Sequence, residues 1–400
     1  MTALVLGSDT PIGLAVIREL GGHGVQVHAV GRGGVSIGGA SRFAHAEYAR
    51  PGGPIADWLP DLIAKSGARA LLAISETDLI ELAALPEVIG GCRILTPRAE
   101  PLAKVLDKSI TLALGRSVGI DVSASWQPVK GEDFGVRART MTYPVVLKWA
   151  DPPAVIPILE KHAVAFLKAE FVMDPTALVA ALGQYDGVGR WPLVQDYCPG
   201  VGIGQMIYMA KGTAVMRFQH QRLHEWPPEG GVSTLCEGTP LNEHAGQMLK
   251  SEALLQKIGW EGPAMVEYRH DPATGRYWLM EVNGRFWGSL PLASASGATF
   301  AWEQYRRDIL GQTDIAGPPR SGLRARYMIP ETRRLLRLLF QRSAIADPQF
   351  RARPGRDLFD YATGFLRPDT RYYVWRLDDP GPLWRDVCNI FRKLWRRGRG

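Results

Sequence analysis

The chain has 400 residues, 46% of them hydrophobic and 22% charged, with twelve each of Trp, Tyr and Phe. This excludes a disordered or fibrous chain and supplies apolar side chains for two or three packed domains. The net charge of +7 is unevenly held: residues 320–400 carry 19 Lys+Arg against 8 Asp+Glu, which leaves the first 319 residues at −4. The body therefore lacks the basic cleft of a nucleic-acid enzyme, and no nucleic-acid partner is expected; the positive charge belongs to a C-terminal extension.

The cysteines, Cys92, Cys198, Cys236 and Cys388, lie far apart with no CxxC pair. Neither a zinc site nor a disulfide framework follows, and a reducing cytoplasm is the expected compartment. Met1–Gly7 has no basic leader and reads as a strand, so no secretory signal is expected. No run of 18 apolar residues occurs to span a bilayer.

In chain order, Ala3–Leu6 is a short apolar strand, Gly7–Pro11 a turn, and Ile12–Gly21 a helix with Leu14, Ile17 and Leu20 on one side. Val25–Val30, Ala70–Ile74 and Arg93–Leu95 read as strands, with Leu79–Leu85 as a helix. Strands alternating with helices predict a parallel sheet covered on both faces. The turn Gly7-Ser8-Asp9-Thr10-Pro11-Ile12-Gly13 lacks the central glycine of GxGxxG, and the second strand ends at Gly31-Arg32 where a carboxylate would hold the ribose of NAD. A structural or substrate-facing lobe is therefore favoured over a nicotinamide site.

Residues 101–119 are expected to be helical and to contain Asp107-Lys108. Tyr143–Trp149 is a strand with Lys148 near its end, and Asp174-Pro175 opens a helix as cap and first residue. Pro192–Tyr197 is a strand, followed by an antiparallel pair, Ile203–Met209 and Ala214–Gln219, around Lys211-Gly212. Residues 219–225 and Gly230–Ser233 read as a polar loop. Leu249–Ile258 is a helix. Ala264–Arg269 and Tyr277–Asn283 form a hairpin, and the Gly/Pro-rich segment 311–319 links to the extension.

The hairpin carries the sharpest chemistry. Glu281 and Asn283 alternate onto one strand face, and a turn centred near Thr274 sets Glu267 across from Glu281. Opposed carboxylates repel, and a divalent ion turns that cost into a site; oxygen-only ligands point to magnesium or manganese. The alternative is a solvated acidic face. Lys148 is placed to meet a phosphate at its strand end, or else is a snorkelling edge lysine, and Lys108 has the same ambiguity. Arg285 could add positive charge to a metal–phosphate cluster or be a surface arginine. Arg222 is the candidate for holding a substrate carboxylate. His220 and His224 are four apart, but with no third soft ligand they are read as substrate-facing or structural.

Together and in this order these residues resemble the ATP-grasp superfamily, in particular single-module carboxylate–amine ligase-like members related to the ATP-binding domain of carbamoyl-phosphate synthase. The resemblance covers about residues 1–310 and rests on Asp107-Lys108, YPVVLKW, LVQDYCPG, HQRLHEWPPEGG, and AMVEY followed by LMEVNGRFWGS. It implies an α/β (α+β) fold: a Rossmann-like pre-ATP-grasp lobe over 1–100, a two-lobed ATP-grasp domain over 101–312 hinged near 192–200, and a basic extension over 313–400. It implies ATP and Mg2+ (or Mn2+) as cofactors. Lys108 and Lys148 would meet the phosphates, and Gln195, Asp196, Tyr197 and Cys198 would line the adenine pocket. Glu267, Glu281 and Asn283 would hold the metal, and Arg285 would steady the transferred phosphoryl group. The implied reaction activates a carboxylate as an acyl phosphate for attack by an amine or thiol. One departure stands out: the glycine-rich loop expected after Lys148 is replaced by Ala150-Asp151-Pro152-Pro153 and an apolar stretch to Phe171, leaving Lys168 as a candidate lid residue.

The extension contains two basic amphipathic helices, one over Glu331–Ser343 with Leu335, Leu338 and Leu339, and one over Leu383–Arg397. The second spaces Trp384, Val387, Phe391, Leu394 and Trp395 on one side. Its apolar face is expected to dock on the enzyme body, on an anionic membrane surface, or on a partner protein. Self-association is left open. The rival functions are a non-catalytic nucleotide-binding regulator or membrane-associated accessory protein, and an NAD-dependent oxidoreductase.

Overall fold

The computed structural model describes residues 1–33, 35–167, 169–314, 317–345, 347 and 350–397; Lys168 lies outside them. Three sheets organise the chain. The first contains β1 (Thr2–Leu6), β2 (Gln26–Gly31), β3 (Ala44–Ala49), β4 (Ala70–Ala73), β5 (Val88–Ile89) and β6 (Cys92–Ile94) in the order β3-β2-β1-β4-β6-β5. Its pairs are parallel except the edge pair β5–β6. Helices cover both faces, which is why β1 and β4 read as unbroken apolar runs and Leu4, Val5, Leu71 and Leu72 are fully buried. The first helix, Pro11–Gly22, starts at Thr10, whose hydroxyl accepts the Gly13 N–H at 3.0 Å. A Cβ on Gly13 would lie 2.4 Å from the Gly7 carbonyl oxygen, so this turn is closed by packing between its own two ends.

The second sheet is small and antiparallel: β7 (Ser125–Trp126), β8 (Val145–Lys148), β9 (Glu170–Val172) and β10 (Leu193–Asp196), ordered β7-β10-β8-β9. It has a core of its own built on Trp126, Leu147, Trp149, Tyr185 and Trp191. Asp174 caps the helix Pro175–Gly183 by accepting the Ala177 N–H at 2.8 Å, as its sequence predicts. Where a glycine-rich loop was missing, Asp151 caps a helix over Pro152–Lys161.

The third sheet has seven strands, β11 (Val201–Ala210), β12 (Thr213–Trp226), β13 (Val232–Gly238), β14 (Gly262–Asp271), β15 (Arg276–Asn283), β16 (Arg324–Arg326) and β17 (Thr370–Tyr372), ordered β15-β14-β11-β12-β13-β16-β17. Residues 324–326 and 370–372 therefore extend the sheet from the C-terminal segment. The helix Met328–Phe340 packs across β12 and β13, burying Leu335 and Leu338.

Two expectations are corrected. The helical stretch 101–119 is two helices, Ala99–Leu106 and Lys108–Ser117, broken at an extended Asp107. The Asp107 carboxylate accepts the N–H groups of Ser109 at 2.8 Å and Ile110 at 3.3 Å, so the acid beside the lysine starts the second helix. Residues 219–225 are not a loop: β12 runs through to Trp226, with register shifts against β13 between Arg222 and Glu225 that disguise the alternation.

Candidate active site

A cleft of about 870 Å3, counting its open mouth, lies between the small sheet and the seven-stranded sheet. From the small-sheet side come Val146 and Lys148 on β8, Phe171 on β9, and Gln195–Cys198 at the end of β10. From the large-sheet side come Arg222, Glu267, Arg269 and Glu281, with Lys108 at the start of its helix.

The acidic pair is made by a bulge. Leaving the turn, Asp271 pairs with Arg276, His270 with Tyr277, Arg269 with Trp278 and Tyr268 with Leu279. The register then shifts, and Glu267 opposes Glu281, Val266 opposes Val282 and Met265 opposes Asn283. An unbroken ladder would set Glu267 against Met280. One extra residue, Met280, thus brings the two carboxylates face to face. Val266 and Val282 point the other way into the core.

Cations surround the pair. Arg222 Nη2 donates to Glu267 Oε2 at 2.5 Å, and Lys108 Nζ lies 3.6 Å from Glu281 Oε2. Asn283 Nδ2 donates to Glu281 Oε1 at 3.2 Å, which fixes that carboxylate's rotation. Arg222 also approaches Glu225 Oε1 at 3.4 Å and donates to the Gly231 carbonyl at 3.3 Å; Glu225 in turn stands 3.8 Å from Arg269 Nη1. Burial works against the Arg222 charge, but Glu267, Glu225 and Glu281 outweigh it and hold the guanidinium above its ordinary pKa. Gly231 is required where the β12–β13 connection folds back, since a Cβ there would lie 1.9 Å from the Trp226 carbonyl oxygen.

Lys148 differs from the other cations. It makes no hydrogen bond or ion pair among the described residues, and burial, then Lys108, lower its pKa, while Glu281, Cys198 and Glu267 pull it back up. A half-buried ammonium without a hydrogen-bonded partner, on the wall of a cleft, is a position that suits an anion. Gln195, Asp196, Tyr197 and Cys198 line the wall beside it. Burial pushes the Cys198 thiol up to about 11, so it is a neutral wall group and not a nucleophile. The Tyr197 hydroxyl donates to Asp347 at 2.9 Å.

Arg285 lies in an adjoining cavity that shares Lys108, Met280 and Glu281 with the cleft. Its Nε donates to Glu76 Oε1 at 2.9 Å and its Nη1 to the Phe286 carbonyl at 3.1 Å. Glu76 opens a helix just after β4, where ligands of open parallel sheets commonly bind. Asn283 lines this second cavity as well. The histidines are structural: His224 Nδ1 pairs with Glu331 at 2.6 Å, and His220, near Ser289 at 3.1 Å, is pushed down to about 3 by burial and then by Arg222. Sequence reasoning missed Glu76, Glu225 and Arg269. Arg269 was recoverable, since it lies two residues after Glu267 on the same strand face; Glu225 was hidden by the shifted register, and nothing local marks Glu76.

The donor set suits magnesium. Two carboxylates and an amide oxygen are hard ligands, and Mg2+ characteristically takes one or two carboxylates while filling the remaining positions with water and phosphate oxygens. No group of three or more His, Cys, Asp or Glu side chains arranged for a metal occurs among the described residues.

A Rossmann-like lobe, a small antiparallel lobe and a larger sheet closing on a cleft of lysines and paired glutamates make the ATP-grasp fold. No family model matches the chain, and no curated protein matches it in sequence. The fold is shared with solved structures. The biotin carboxylase domain of Hydrogenobacter thermophilus 2-oxoglutarate carboxylase, in complex with MgADP, ADP and bicarbonate, is 16% identical over 81% of this chain and 73% of that one, with a TM-score of 0.61. The ADP complex of purK, N5-carboxyaminoimidazole ribonucleotide synthetase, is 12% identical over 81% and 80%, with a TM-score of 0.62. The L-amino acid ligase of Bacillus licheniformis is 12% identical over 78% and 77%, with a TM-score of 0.55. Against Rhizobium etli pyruvate carboxylase, 16% identical over 80% of this chain with a TM-score of 0.59, the chain spans only 30% of that protein's length.

Proposed function

We propose that the chain is an ATP- and magnesium-dependent ligase that activates a carboxylate as an acyl phosphate for attack by an amine or thiol. The observation that carries this reading is the bulged hairpin, which sets Glu267 against Glu281 at a cleft between two lobes, beside Lys108 and an unbonded Lys148. That is the arrangement a magnesium–triphosphate requires, and it sits in a fold whose solved members include complexes with ADP and MgADP.

In this reading Gln195–Cys198 form the adenine wall, Lys108 and Lys148 hold phosphate oxygens, and Glu267, Glu281 and Asn283 hold the metal. When bound, magnesium would offset phosphate charge and polarise the phosphorus–oxygen bonds. A substrate carboxylate oxygen attacks the terminal phosphorus and ADP leaves. The nucleophile then attacks the acyl carbon, phosphate leaves, and the nucleophile loses a proton. Arg285, held by Glu76, faces the adjoining cavity and is assigned to the transferred group. Arg222 is the substrate-side cation, with Glu225 and Glu267 holding its plane. Closure of the small lobe would exclude water from the acyl phosphate.

The test is ADP release with magnesium-ATP across a panel of acids paired with amines or thiols. Turnover that needs both an acid and a nucleophile supports the assignment. Tight nucleotide binding without turnover for any pair would replace it with a nucleotide-sensing regulator.

A further inference from the structure

Exposed aromatic side chains are concentrated in one stretch of the chain. Among the described residues, seven exposed Phe or Trp side chains occur, and six lie in the C-terminal segment: Phe340, Phe359, Phe365, Trp375, Trp384 and Phe391. The seventh, Phe166, stands at the mouth of the cavity beside the cleft. Leu366 and Leu377 are 84% and 86% exposed in the same segment. The helix Pro354–Thr363 buries no residue, yet it carries Leu358 and Phe359 outward and leads directly into Phe365-Leu366.

These side chains are interleaved with guanidinium groups. Arg356 precedes Leu358-Phe359 and Arg367 follows Leu366, both exposed; Arg376 stands between Trp375 and Leu377, and Arg392 follows Phe391. The outward face of the helix Met328–Phe340 repeats the pattern with Arg333, Leu336 and Phe340. Aromatic residues and arginine are enriched at protein interfaces too; what favours a lipid surface here is their alternation along a segment that carries a large excess of positive charge. Amphipathic surfaces that rest at an anionic headgroup layer show this alternation, with aromatic rings entering the acyl boundary and cations held at phosphate level. The net charge of +11 over residues 320–400 complements an anionic bilayer and not a neutral one.

We propose that the C-terminal segment is a peripheral docking surface for an anionic lipid bilayer, with the arginines meeting headgroup phosphates and the exposed aromatic side chains inserted shallowly. No helix among the described residues is long and apolar enough to cross a membrane, and the contact is reversible and salt-dependent.

The experiment is co-sedimentation of the full chain with vesicles of neutral phosphatidylcholine, and with vesicles containing about 30% anionic phospholipid. Pelleting is expected with the anionic vesicles only, and it should fall at least tenfold between low and high salt. Two variants separate the contributions, F359S/L366S/W384S for insertion and R356Q/R392Q for charge. Each arginine removed should weaken binding roughly fivefold, and the apolar triple variant should lose pelleting while keeping its thermal midpoint and its nucleotide binding. Equal pelleting on neutral vesicles overturns the electrostatic part, and undiminished pelleting of the apolar variant overturns the insertion. Absence of vesicle binding, with or without self-association of the chain through this face, overturns the proposal as a whole.

Discussion

Replacing Glu281 by Gln separates the metal reading from ordinary ion pairing, because the two predict opposite responses to nucleotide. At 3.6 Å the gross attraction between Glu281 and Lys108 is about 5 kcal/mol at an effective dielectric constant near 20. Both side chains are a quarter to a third exposed, so the net contribution is discounted to roughly 0.2–1 kcal/mol. The substitution also removes the repulsion between Glu281 and the directly opposed Glu267, an effect of opposite sign. The free protein should therefore keep its stability to within about 1 kcal/mol, with the amide still bonded to Asn283. If the pair holds magnesium, the loss appears only with nucleotide. At 100 times the dissociation constant of a magnesium–ATP analogue the parent protein gains about 2.7 kcal/mol; a hundredfold weaker variant gains about 0.4 kcal/mol at the same concentration. The assay is thermal unfolding with and without analogue, in magnesium and in chelator, and turnover should fall on the order of 10²–10³-fold. A full magnesium-dependent shift in E281Q would refute the assignment.

Further outcomes follow from the titrating groups and the cleft wall. The depressed Lys148 pKa means that its ammonium is lost earlier than usual as pH rises, while bound phosphates favour the charged form. Nucleotide affinity should fall as pH rises through that depressed value, with proton uptake on binding, and K148M should bind more weakly at neutral pH with a flat profile in calorimetric titrations. Burial raises Glu19 to about 7, against hydrogen bonds from Ser294, Trp302 and Ala301. The folded state then keeps a proton that the unfolded chain has lost, so stability is full below about 4.5 and declines as pH rises to about 7, by about 3 kcal/mol. Urea midpoints at pH 4.5 and 8 should show that decline in the parent protein and not in E19Q. Arg337 donates to Glu229 at 2.5 Å across the cleft wall. R337A should raise KM for the acid severalfold while nucleotide affinity is unchanged, and equal loss in both would mark a general folding defect.

Much of this architecture was legible because the relevant patterns are local. The strand–helix alternation of the first lobe, Asp174-Pro175 at a helix start, and the hairpin around Asp271–Gly275 each depend on neighbouring residues only. The acidic pair was legible for a less direct reason. A turn centred on Thr274 gives Glu267 opposite Glu281, yet the ladder is centred half a residue earlier and the bulge at Met280 makes up the difference. Bulges cost local pairing and leave no residue-type signature, so the sequence supplied the partners and not the device that joins them. The same blindness turned residues 219–225 into an apparent loop. Apolar and polar residues fail to alternate there because the register slips twice, and both sides of β12 are occupied, by the cleft and by the helix Met328–Phe340. Glu76 was invisible because its partner Arg285 lies 209 residues away.

The C-terminal segment carries excess positive charge and also contributes contacts to the lining of the cleft. Its first helix presents two sides with different chemistry. Inward, Glu331 accepts from Thr234 and pairs with His224 at 2.6 Å, and its carboxylate stays below the usual range: burial alone would raise it, but the His224 hydrogen bond and charge prevail. Arg337, at the edge of that side, reaches Glu229 in the cleft lining. Outward, Leu336 and Phe340 remain in solvent. Asp347, farther along the same segment, holds the hydroxyl of Tyr197 at the other end of the cleft. One stretch of chain thus bonds to both Tyr197 and Glu229 of the cleft lining, while other side chains of the same stretch are the exposed aromatic ones. A ligand bound to those exposed side chains would sit on a segment that is already bonded to the cleft lining at Tyr197 and Glu229.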